Sequence, residues 1–240
     1  MANRETVLVT GATQGIGAAI AQAFLDRGYN VVATARSMSK AGFAPSPQLA
    51  LVDGDIGHAA TAEKVTRTAM TNFGSIDHVV NSAGIFSVKP FTEYTAGEFH
   101  RFVSTNLEGF IFVTQLAVKQ MLTQGTGGSV TTITAALADN PVAGSPASIP
   151  MITKGGLNAV TLSLASEYAK NHIRFNAVAP GVVDTSLHEG TSRESLKTRS
   201  PMGTISEPKD IAEAVVYLAE AGHITGEVLH VDDGAHVGRW

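Results

Sequence analysis

The sequence predicts a doubly wound α/β fold, with a parallel sheet of seven strands and helices on both faces. Three observations predict it: short β-branched segments alternate with segments of helical periodicity, the alternation continues along the whole chain, and a glycine-rich turn separates the first pair. The chain has 240 residues, 44% of them hydrophobic and 16% charged, which suits a single domain spanning residues 1–240. In such folds ligands bind at the carboxyl edge of the sheet, where the strand order reverses.

The predicted elements follow from two kinds of pattern. Strand segments are short runs rich in Val, Ile and Thr, whereas helix segments repeat apolar residues every three to four positions. The strands are expected at 5–10, 31–35, 49–52, 76–80, 129–134, 174–178 and 227–231. The helices are expected at 16–28, 61–73, 96–121, 151–170 and 208–219. The least regular stretches are 37–48, 136–150 and 184–206, and the last is long enough to form a lid over a site.

Composition and charge exclude several classes of protein and site. The 17 Lys and Arg residues against 21 Asp and Glu leave a net charge of −4 with no basic block, so no nucleic-acid partner is expected. There is no cysteine, and the eight histidines lack the spacing of metal ligands, so neither a disulfide nor a metal site is expected. Because there is no run of eighteen apolar residues and no leader sequence, we expect no membrane segment and a cytoplasmic protein.

A glycine-rich turn links the first strand to the first helix. It reads Thr10-Gly11-Ala-Thr-Gln-Gly15-Ile-Gly17, and its small residues let backbone amides approach a pyrophosphate at the positive end of the helix. No Gly-Lys-Ser/Thr follows, which excludes a P-loop. Where NAD-binding proteins carry an acidic residue after the second strand, this chain has Arg36. A guanidinium pairs with a 2′-phosphate, so NADP(H) is expected over NAD(H); the alternative is a solvated surface arginine.

These features belong to a longer set of motifs through which essentially the whole chain resembles the short-chain dehydrogenase/reductase family. The motifs are the TGxxxGxG turn at 10–17, Asp55-Ile56, Asn81-Ser-Ala-Gly84, Asn106 in Ser-Thr-Asn-Leu, Asn176 with Pro180-Gly181, Thr185, and Val231-Asp-Asp-Gly234. The resemblance implies a Rossmann-like fold, bound NADP(H), a small-molecule substrate and a homo-dimer or homo-tetramer. The cofactor-binding residues predicted from it and from the turn are Gly11, Thr13, Gln14, Gly15, Ile16, Gly17, Arg36, Ser37, Asp55, Ile56, Asn81, Ala83, Gly84, Lys154, Pro180, Gly181, Val183 and Thr185.

The catalytic set that the resemblance implies is incomplete. Family members use Ser, Tyr and Lys with a helix Asn: the two hydroxyls hold the carbonyl, tyrosine transfers the proton, and lysine lowers the tyrosine pKa while binding the ribose. Asn106 and Lys154 match this set, but Pro150 stands at the tyrosine position and Ala135 at the serine position. The catalytic candidates are therefore Asn106, Lys154 and Thr134, whose hydroxyl is next to Ala135 in sequence.

Several groups are candidates to replace the missing hydroxyls. Thr134 is the nearest in sequence, although adjacent residues of a strand face opposite sides of the sheet. Lys154 itself donates a proton if burial depresses its pKa; the alternative role is the ribose contact. The candidates in neighbouring loops are Asp139, Ser145, Ser148 and His188, the last of which is otherwise an exposed loop histidine. The four tyrosines, which are Tyr29, Tyr94, Tyr168 and Tyr217, are expected in or beside helices away from the site.

The intact cofactor motifs beside a broken Ser-Tyr pair favour an NADP(H)-dependent oxidoreductase whose proton donor is displaced or dispensable. The alternatives are a non-catalytic NADP(H)-binding sensor or partner subunit, and a lyase or isomerase on the same fold. Subunit contacts are expected on the long helices at 96–121 and 151–170, for which Phe110, Phe112, Leu162 and Leu164 provide apolar side chains; the commoner use of such residues is core packing. Near the C-terminus, His230, His236 and Trp240 are expected to pack or to line a subunit contact.

Overall fold

A seven-stranded parallel sheet forms the centre of the protein, with the strand order β3-β2-β1-β4-β5-β6-β7. The computed structural model describes residues 4–142 and 144–237. The strands are β1 Thr6–Thr10, β2 Asn30–Ala35, β3 Leu49–Asp53, β4 His78–Asn81, β5 Gly128–Ile133, β6 Ile173–Pro180 and β7 Val228–Val231. The order reverses between β1 and β4, so the crevice for a ligand lies beyond the carboxyl ends of these two strands. The predicted doubly wound, Rossmann-like fold is confirmed.

Helices cover both faces of the sheet. They are α1 Gly15–Asp26, α2 Ala59–Asn72, α3 Ala96–Phe102, α4 Gly109–Gln124, α5 Ser148–Tyr168, α6 Arg193–Lys197 and α7 Pro208–Glu220. Apolar residues of α1 and α7, such as Phe24 and Ile211, form one core with one face of the sheet. Apolar residues of α2, α4 and α5, such as Val65, Val113 and Leu157, form a second core on the other face. Because both faces of the sheet are covered by helices, the strands are buried on both sides, and this explains why they read as nearly continuous apolar runs.

The predicted helix at 96–121 is interrupted by a wider turn. After α3, a π-helical turn spans Val103–Glu108, and α4 then continues to Gln124, where Gly125 with φ 69° ends it. The apolar spacing of the sequence stays helical through this region, so periodicity alone could not reveal the interruption. Turns of this kind are rare and frequently occur at functional sites. Here the turn contains the buried Asn106.

Most of the apolar residues proposed for subunit contacts on α4 and α5 pack in the core, which was the alternative use expected of them. Phe110 is buried, and Phe112 and Leu164 pack against the core, so only Leu162 of the four predicted apolar residues is exposed. The exposed apolar side chains of these two helices are Ile111, Leu122, Ile152 and Leu162. The predicted lid at 184–206 contains the short helix α6, and Trp240 lies outside the described residues. In the described ranges, no helix combines the length and the apolar character needed to cross a membrane.

Candidate functional site

The N-terminus of α1 lies at the carboxyl edge of the sheet with its backbone amides uncapped. Gly11 has φ 70° and Gly15 has φ 56°, a region that favours glycine, so the chain turns sharply from β1 into the helix. A Cβ on Gly17 would lie 2.2 Å from the carbonyl oxygen of Gly11, so only glycine lets the helix approach the turn this closely. Gln14 precedes the helix without a side-chain cap, and the first turn holds no acidic residue. The uncapped N–H groups and the helix dipole together suit a phosphate.

Polar groups at the ends of β2 and β3 differ in their freedom to bind a ligand. Arg36 follows β2 and is exposed. The Asp53 carboxylate, which ends β3, instead accepts a hydrogen bond of 2.6 Å from the Met38 backbone N–H. Asp55 is exposed and accepts a hydrogen bond of 3.0 Å from the Gly57 N–H, while the next residue, Ile56, is buried. The guanidinium is therefore the side chain at this corner that is available to an anion.

The segment after β4 passes close to the glycine turn. The Thr10 hydroxyl accepts hydrogen bonds from the Ser82 and Ala83 N–H groups at 3.1 Å and 3.0 Å. A Cβ on Gly11 would lie 2.7 Å from the Ala83 Cα, so the two segments touch through backbone alone. Asn81 is buried and donates to the Thr114 hydroxyl at 3.0 Å, but its Oδ1 has no hydrogen-bond partner within the described residues. An orphaned buried acceptor at this edge is consistent with a ligand or a water beside it.

Lys154 and Asn106 meet at the carboxyl edge next to Gly84. The Lys154 Nζ donates to the Ile133 carbonyl at 2.7 Å, and a Cβ on Gly84 would lie 3.1 Å from this Nζ and 3.4 Å from the Asn106 Oδ1. Asn106 Oδ1 accepts from the Ile85 N–H at 2.8 Å, which fixes the segment after Gly84. Burial lowers the pKa of Lys154 from 10.5 to about 8. The site therefore contains an amine that changes protonation state close to neutral pH.

Thr153 is a site residue that the sequence reasoning missed. Asn106 Nδ2 donates to the Thr153 Oγ1 at 2.9 Å, and the Thr153 hydroxyl donates to the Pro150 carbonyl, also at 2.9 Å. This chain of hydrogen bonds ties the π-helical turn to the first turn of α5. The sequence pattern that indicates Thr153 is its position directly before Lys154. Both residues lie on the buried side of α5.

The positions of Ala135 and Pro150 carry no hydroxyl. Pro150 is the third residue of α5 and is buried; its missing N–H is one that would have no partner inside the helix, so the helix tolerates proline there. Thr134 continues the pairing of β5 with β6: its N–H donates to the Val178 carbonyl at 2.8 Å, and its hydroxyl donates to the same oxygen at 3.3 Å. The structure thus joins Thr134 to β6 and does not bring its hydroxyl into a hydrogen bond with Lys154 or Asn106.

The other candidate proton donors differ in their surroundings. Asp139 accepts hydrogen bonds from the Asn158 amide and lies 3.2 Å from the His230 Nε2, and Ser148 is exposed. His188 is half-buried, and this burial is the main reason why its pKa lies below 6.5. The nearby charge of Arg199 lowers the pKa further, whereas Asp184 opposes the shift. The imidazole is therefore mainly neutral at pH 7. The Tyr94 hydroxyl donates to the Ser87 carbonyl at 3.1 Å. None of the four tyrosine hydroxyls forms a hydrogen bond with Lys154 or Asn106 in the described structure.

The lid reaches the glycine turn from the other side of the crevice. The Gln14 amide donates to the Ser186 hydroxyl at 2.8 Å, and a Cβ on Gly15 would lie 3.3 Å from the Thr185 methyl group. The base of the lid is fixed by a bridge between Val183 and Ser206. At the end of β6, Pro180 pairs with β7, and a Cβ on Gly181 would lie 2.7 Å from the Asp232 Cα. These contacts gather Gln14, Gly15, Val183 and Thr185 of the predicted set at one edge.

An apolar cleft flanks the start of α5 and was not predicted. It has a volume of about 650 Å³ and is lined by Phe91, Leu137, Pro141, Val142, Ser145, Pro146, Ala147, Ser148, Met151 and Ile152, none of which is charged. Its lining comes from the loops after β4 and β5, which a hydrogen bond of 2.7 Å from the Lys89 N–H to the Pro146 carbonyl joins. Within residues 4–142 and 144–237, no group of three or more His, Cys, Asp or Glu side chains is arranged to hold a metal ion.

Comparisons with known proteins agree with this geometry. The family model described as Enoyl-(Acyl carrier protein) reductase matches residues 11–236. A tropinone reductase homolog of Arabidopsis thaliana is 36% identical over 248 residues, which cover 95% of this chain and 92% of that protein. The ligand-free aldohexose dehydrogenase of Thermoplasma acidophilum superposes with a TM-score of 0.88 at 29% identity, covering 99% of this chain and 96% of the other. The structure of ElxO with NADP bound superposes with a TM-score of 0.90 at 26% identity, covering 98% of this chain and 100% of the other. The chain therefore belongs to the short-chain dehydrogenase/reductase family of oxidoreductases.

Proposed function

We propose that the protein is an NADP(H)-dependent oxidoreductase that interconverts a small carbonyl compound and its alcohol, or reduces a related acceptor. The observation that carries the proposal is the arrangement at one sheet edge: the uncapped N-terminus of α1 lies on one side of the crevice, and the Lys154–Asn106 pair lies on the other. A structural relative, ElxO, binds NADP, which supports the same cofactor for this chain.

The described residues fit this cofactor. The N–H groups at the start of α1 are available to the pyrophosphate, and the exposed Arg36 is available to a 2′-phosphate. Lys154 and the orphaned Asn81 Oδ1 are polar groups at the edge where the ribose and nicotinamide would lie. When bound, NADPH supplies the hydride, and the protein supplies orientation, exclusion of water and control of the proton.

We also propose that the active site works without the usual hydroxyl pair, because Ala135 and Pro150 occupy the positions that resemble those of the family's serine and tyrosine. Of the nearby hydroxyls and carboxylates, those of Thr134, Tyr94 and Asp139 are engaged elsewhere, whereas Ser145 and Ser148 line the apolar cleft. The uncharged, mainly apolar cleft at the start of α5 supports a neutral substrate.

Arg36→Ala tests the cofactor assignment. Because a charge-assisted contact to a phosphate contributes about 1.5–3 kcal/mol, NADPH affinity is expected to fall about tenfold to hundredfold while NADH affinity stays unchanged. Calorimetric titration measures both constants. Arg67→Ala is the matched control, since Arg67 is exposed on α2, away from this corner. Equal loss of NADPH and NADH binding in the Arg36 variant would contradict a 2′-phosphate contact.

The double variant Ala135→Ser with Pro150→Tyr distinguishes an impaired enzyme from a non-catalytic NADP(H)-binding sensor, which the absence of both hydroxyls also favours. A hydroxyl that holds the developing alkoxide is worth about 10²–10³-fold, whichever group supplies the proton, so ketone reduction is expected to rise by about 10²-fold. The helix should accept the change, because Pro150 lies in its first turn and the Thr153 hydroxyl bonds only to its carbonyl. A variant that folds and binds NADPH but gains no turnover would favour the sensor.

We further propose that the protein acts in the cytoplasm as a homo-dimer or homo-tetramer. Ile111 and Leu122 on α4 and Ile152 and Leu162 on α5 are exposed, which supports contact with a second copy along these helices. Sedimentation equilibrium gives the oligomer size.

A further inference from the structure

We propose that Lys154 is the proton donor of the reaction, so that its ammonium group protonates the substrate oxygen directly in place of a tyrosine. This inference rests on the proposed oxidoreductase function and adds the group that carries the proton. Three observations carry it: the position of the amine, its spare hydrogen-bonding capacity, and the engagement of Thr134, Tyr94 and Asp139 elsewhere.

Lys154 has donor capacity that the protein does not use. A charged lysine has three N–H donors, and one of them is occupied by the Ile133 carbonyl at 2.7 Å. In the described part of the chain the Nζ has no other hydrogen-bond partner. Lys154 is only 7% exposed, and its amine lies next to Gly84, where a single Cβ would come within 3.1 Å of it. Two donors of Lys154 therefore remain for a ribose hydroxyl and for the substrate oxygen.

Pro150 places no hydrogen-bonding side chain beside the amine. It lies one helical turn before Lys154 on the same side of α5 and has no polar side-chain atom. The Asn106 amide and the Thr153 hydroxyl, the other polar groups beside it, are bonded to each other and to backbone. Lys154 is thus the titratable group left at this centre. No carboxylate or second cation contributes to its lowered pKa of about 8, which arises from burial alone.

The step balances without any further co-reactant. In reduction, the carbonyl carbon takes the hydride, the C=O π electrons move to oxygen, one Nζ–H bond breaks and the O–H bond forms. Lys154 becomes a neutral amine and takes a proton back from water. In oxidation the neutral amine accepts the hydroxyl proton as the hydride leaves. Reduction should accordingly slow as the pH rises through about 8, and oxidation should become faster over the same range.

The first test follows the amine itself, without cofactor or turnover. The protein is labelled with ¹³C at the lysine Cε, and the Lys154 signal is identified by its loss in Lys154→Arg or Lys154→Met. We expect this signal to titrate with a midpoint near 8, below the 10.5 that is usual for lysine. A midpoint above 10 for Lys154 would overturn the proposal, whatever the protein's activity.

The second test separates proton donation from cofactor binding. Lys154→Arg keeps the positive charge but cannot release a proton near neutral pH, so ketone reduction is expected to fall about 10²–10⁴-fold. Reduction of an iminium ion, which needs hydride and no proton, should stay within a few-fold. Lys119→Arg, an exposed residue of α4, is the control and should change neither reaction.

Two outcomes of the kinetic test would overturn the role of Lys154: ketone reduction that persists in Lys154→Arg, or an equal loss of both reactions. The second would assign the lysine to cofactor binding alone. A wild-type protein that reduces neither substrate refutes the proposed function instead, and the NMR midpoint still decides whether Lys154 is able to release a proton near neutral pH.

Discussion

Gly17→Ala is expected to abolish NADPH binding and to destabilise the fold. The added Cβ would lie 2.2 Å from the Gly11 carbonyl oxygen and 2.7 Å from its carbon, and both are backbone atoms that have no freedom to rotate away. Overpacking of this kind costs about 1–3 kcal/mol or more. The turn has to open to relieve it, which moves the N–H groups of α1 away from the pyrophosphate site.

Calorimetry with NADPH and unfolding in urea measure the two effects of Gly17→Ala. We expect an affinity loss of at least about 100-fold, or 2.7 kcal/mol by the tenfold rule. Gly97→Ala is the matched control, because a Cβ at Gly97 in α3 has no atom within 4 Å. It should leave NADPH binding unchanged and raise stability by up to about 1 kcal/mol through helix propensity. Wild-type NADPH affinity in the Gly17 variant would contradict the assignment of this turn.

Lys154→Met is expected to give a protein that is more stable than the wild type but inactive on ketones. Burial lowers the pKa of Lys154 from 10.5 to about 8, so the folded state holds the ammonium at a cost of roughly 3 kcal/mol at neutral pH. Loss of the charged hydrogen bond to the Ile133 carbonyl, worth about 1.5–3 kcal/mol, offsets much of this cost. A net gain of up to about 1.5 kcal/mol at pH 7 follows.

The pH dependence of this gain has a definite sign. Below pH 8 both the folded and the unfolded wild type carry the charge, so the cost is complete. Between about 8 and 10.5 the folded state binds fewer protons than the unfolded state, so wild-type stability rises with pH and the advantage of methionine shrinks. Urea unfolding at pH 7 and pH 9.5 measures the difference in free energy of unfolding between Lys154→Met and the wild type. Lys119→Met is the control, and its free energy of unfolding is expected within about 0.5 kcal/mol of the wild-type value. A destabilised Lys154→Met protein at pH 7 would contradict the cost assigned to the buried ammonium.

Much of the fold was predictable because local chemistry and global topology agree. The β-branched runs and the helical periodicity gave the seven strands and the main helices to within a few residues, and the glycine turn marked the edge where the crevice lies. At the site, the resemblance to the short-chain dehydrogenase/reductase motifs predicted Asn106 and Lys154, which the structure brings together beside Gly84.

The remaining features depend on contacts that a linear pattern does not contain. The π-helical turn around Asn106 keeps the apolar spacing of an α-helix, and the bond between Thr153 and Asn106 joins elements 47 residues apart. The hydrogen bond from the Thr134 hydroxyl to the Val178 carbonyl exists only because β5 pairs with β6. Similarly, the contacts of Asp139 with Asn158 and His230 require the loop after β5 to fold over the far strands of the sheet.

The most direct test of the account is a calorimetric titration of the wild-type protein with NADPH and, separately, with NADH. The uncapped α1 N-terminus and the exposed Arg36 predict tight NADPH binding and much weaker NADH binding. Binding of neither nucleotide would contradict the proposed oxidoreductase function.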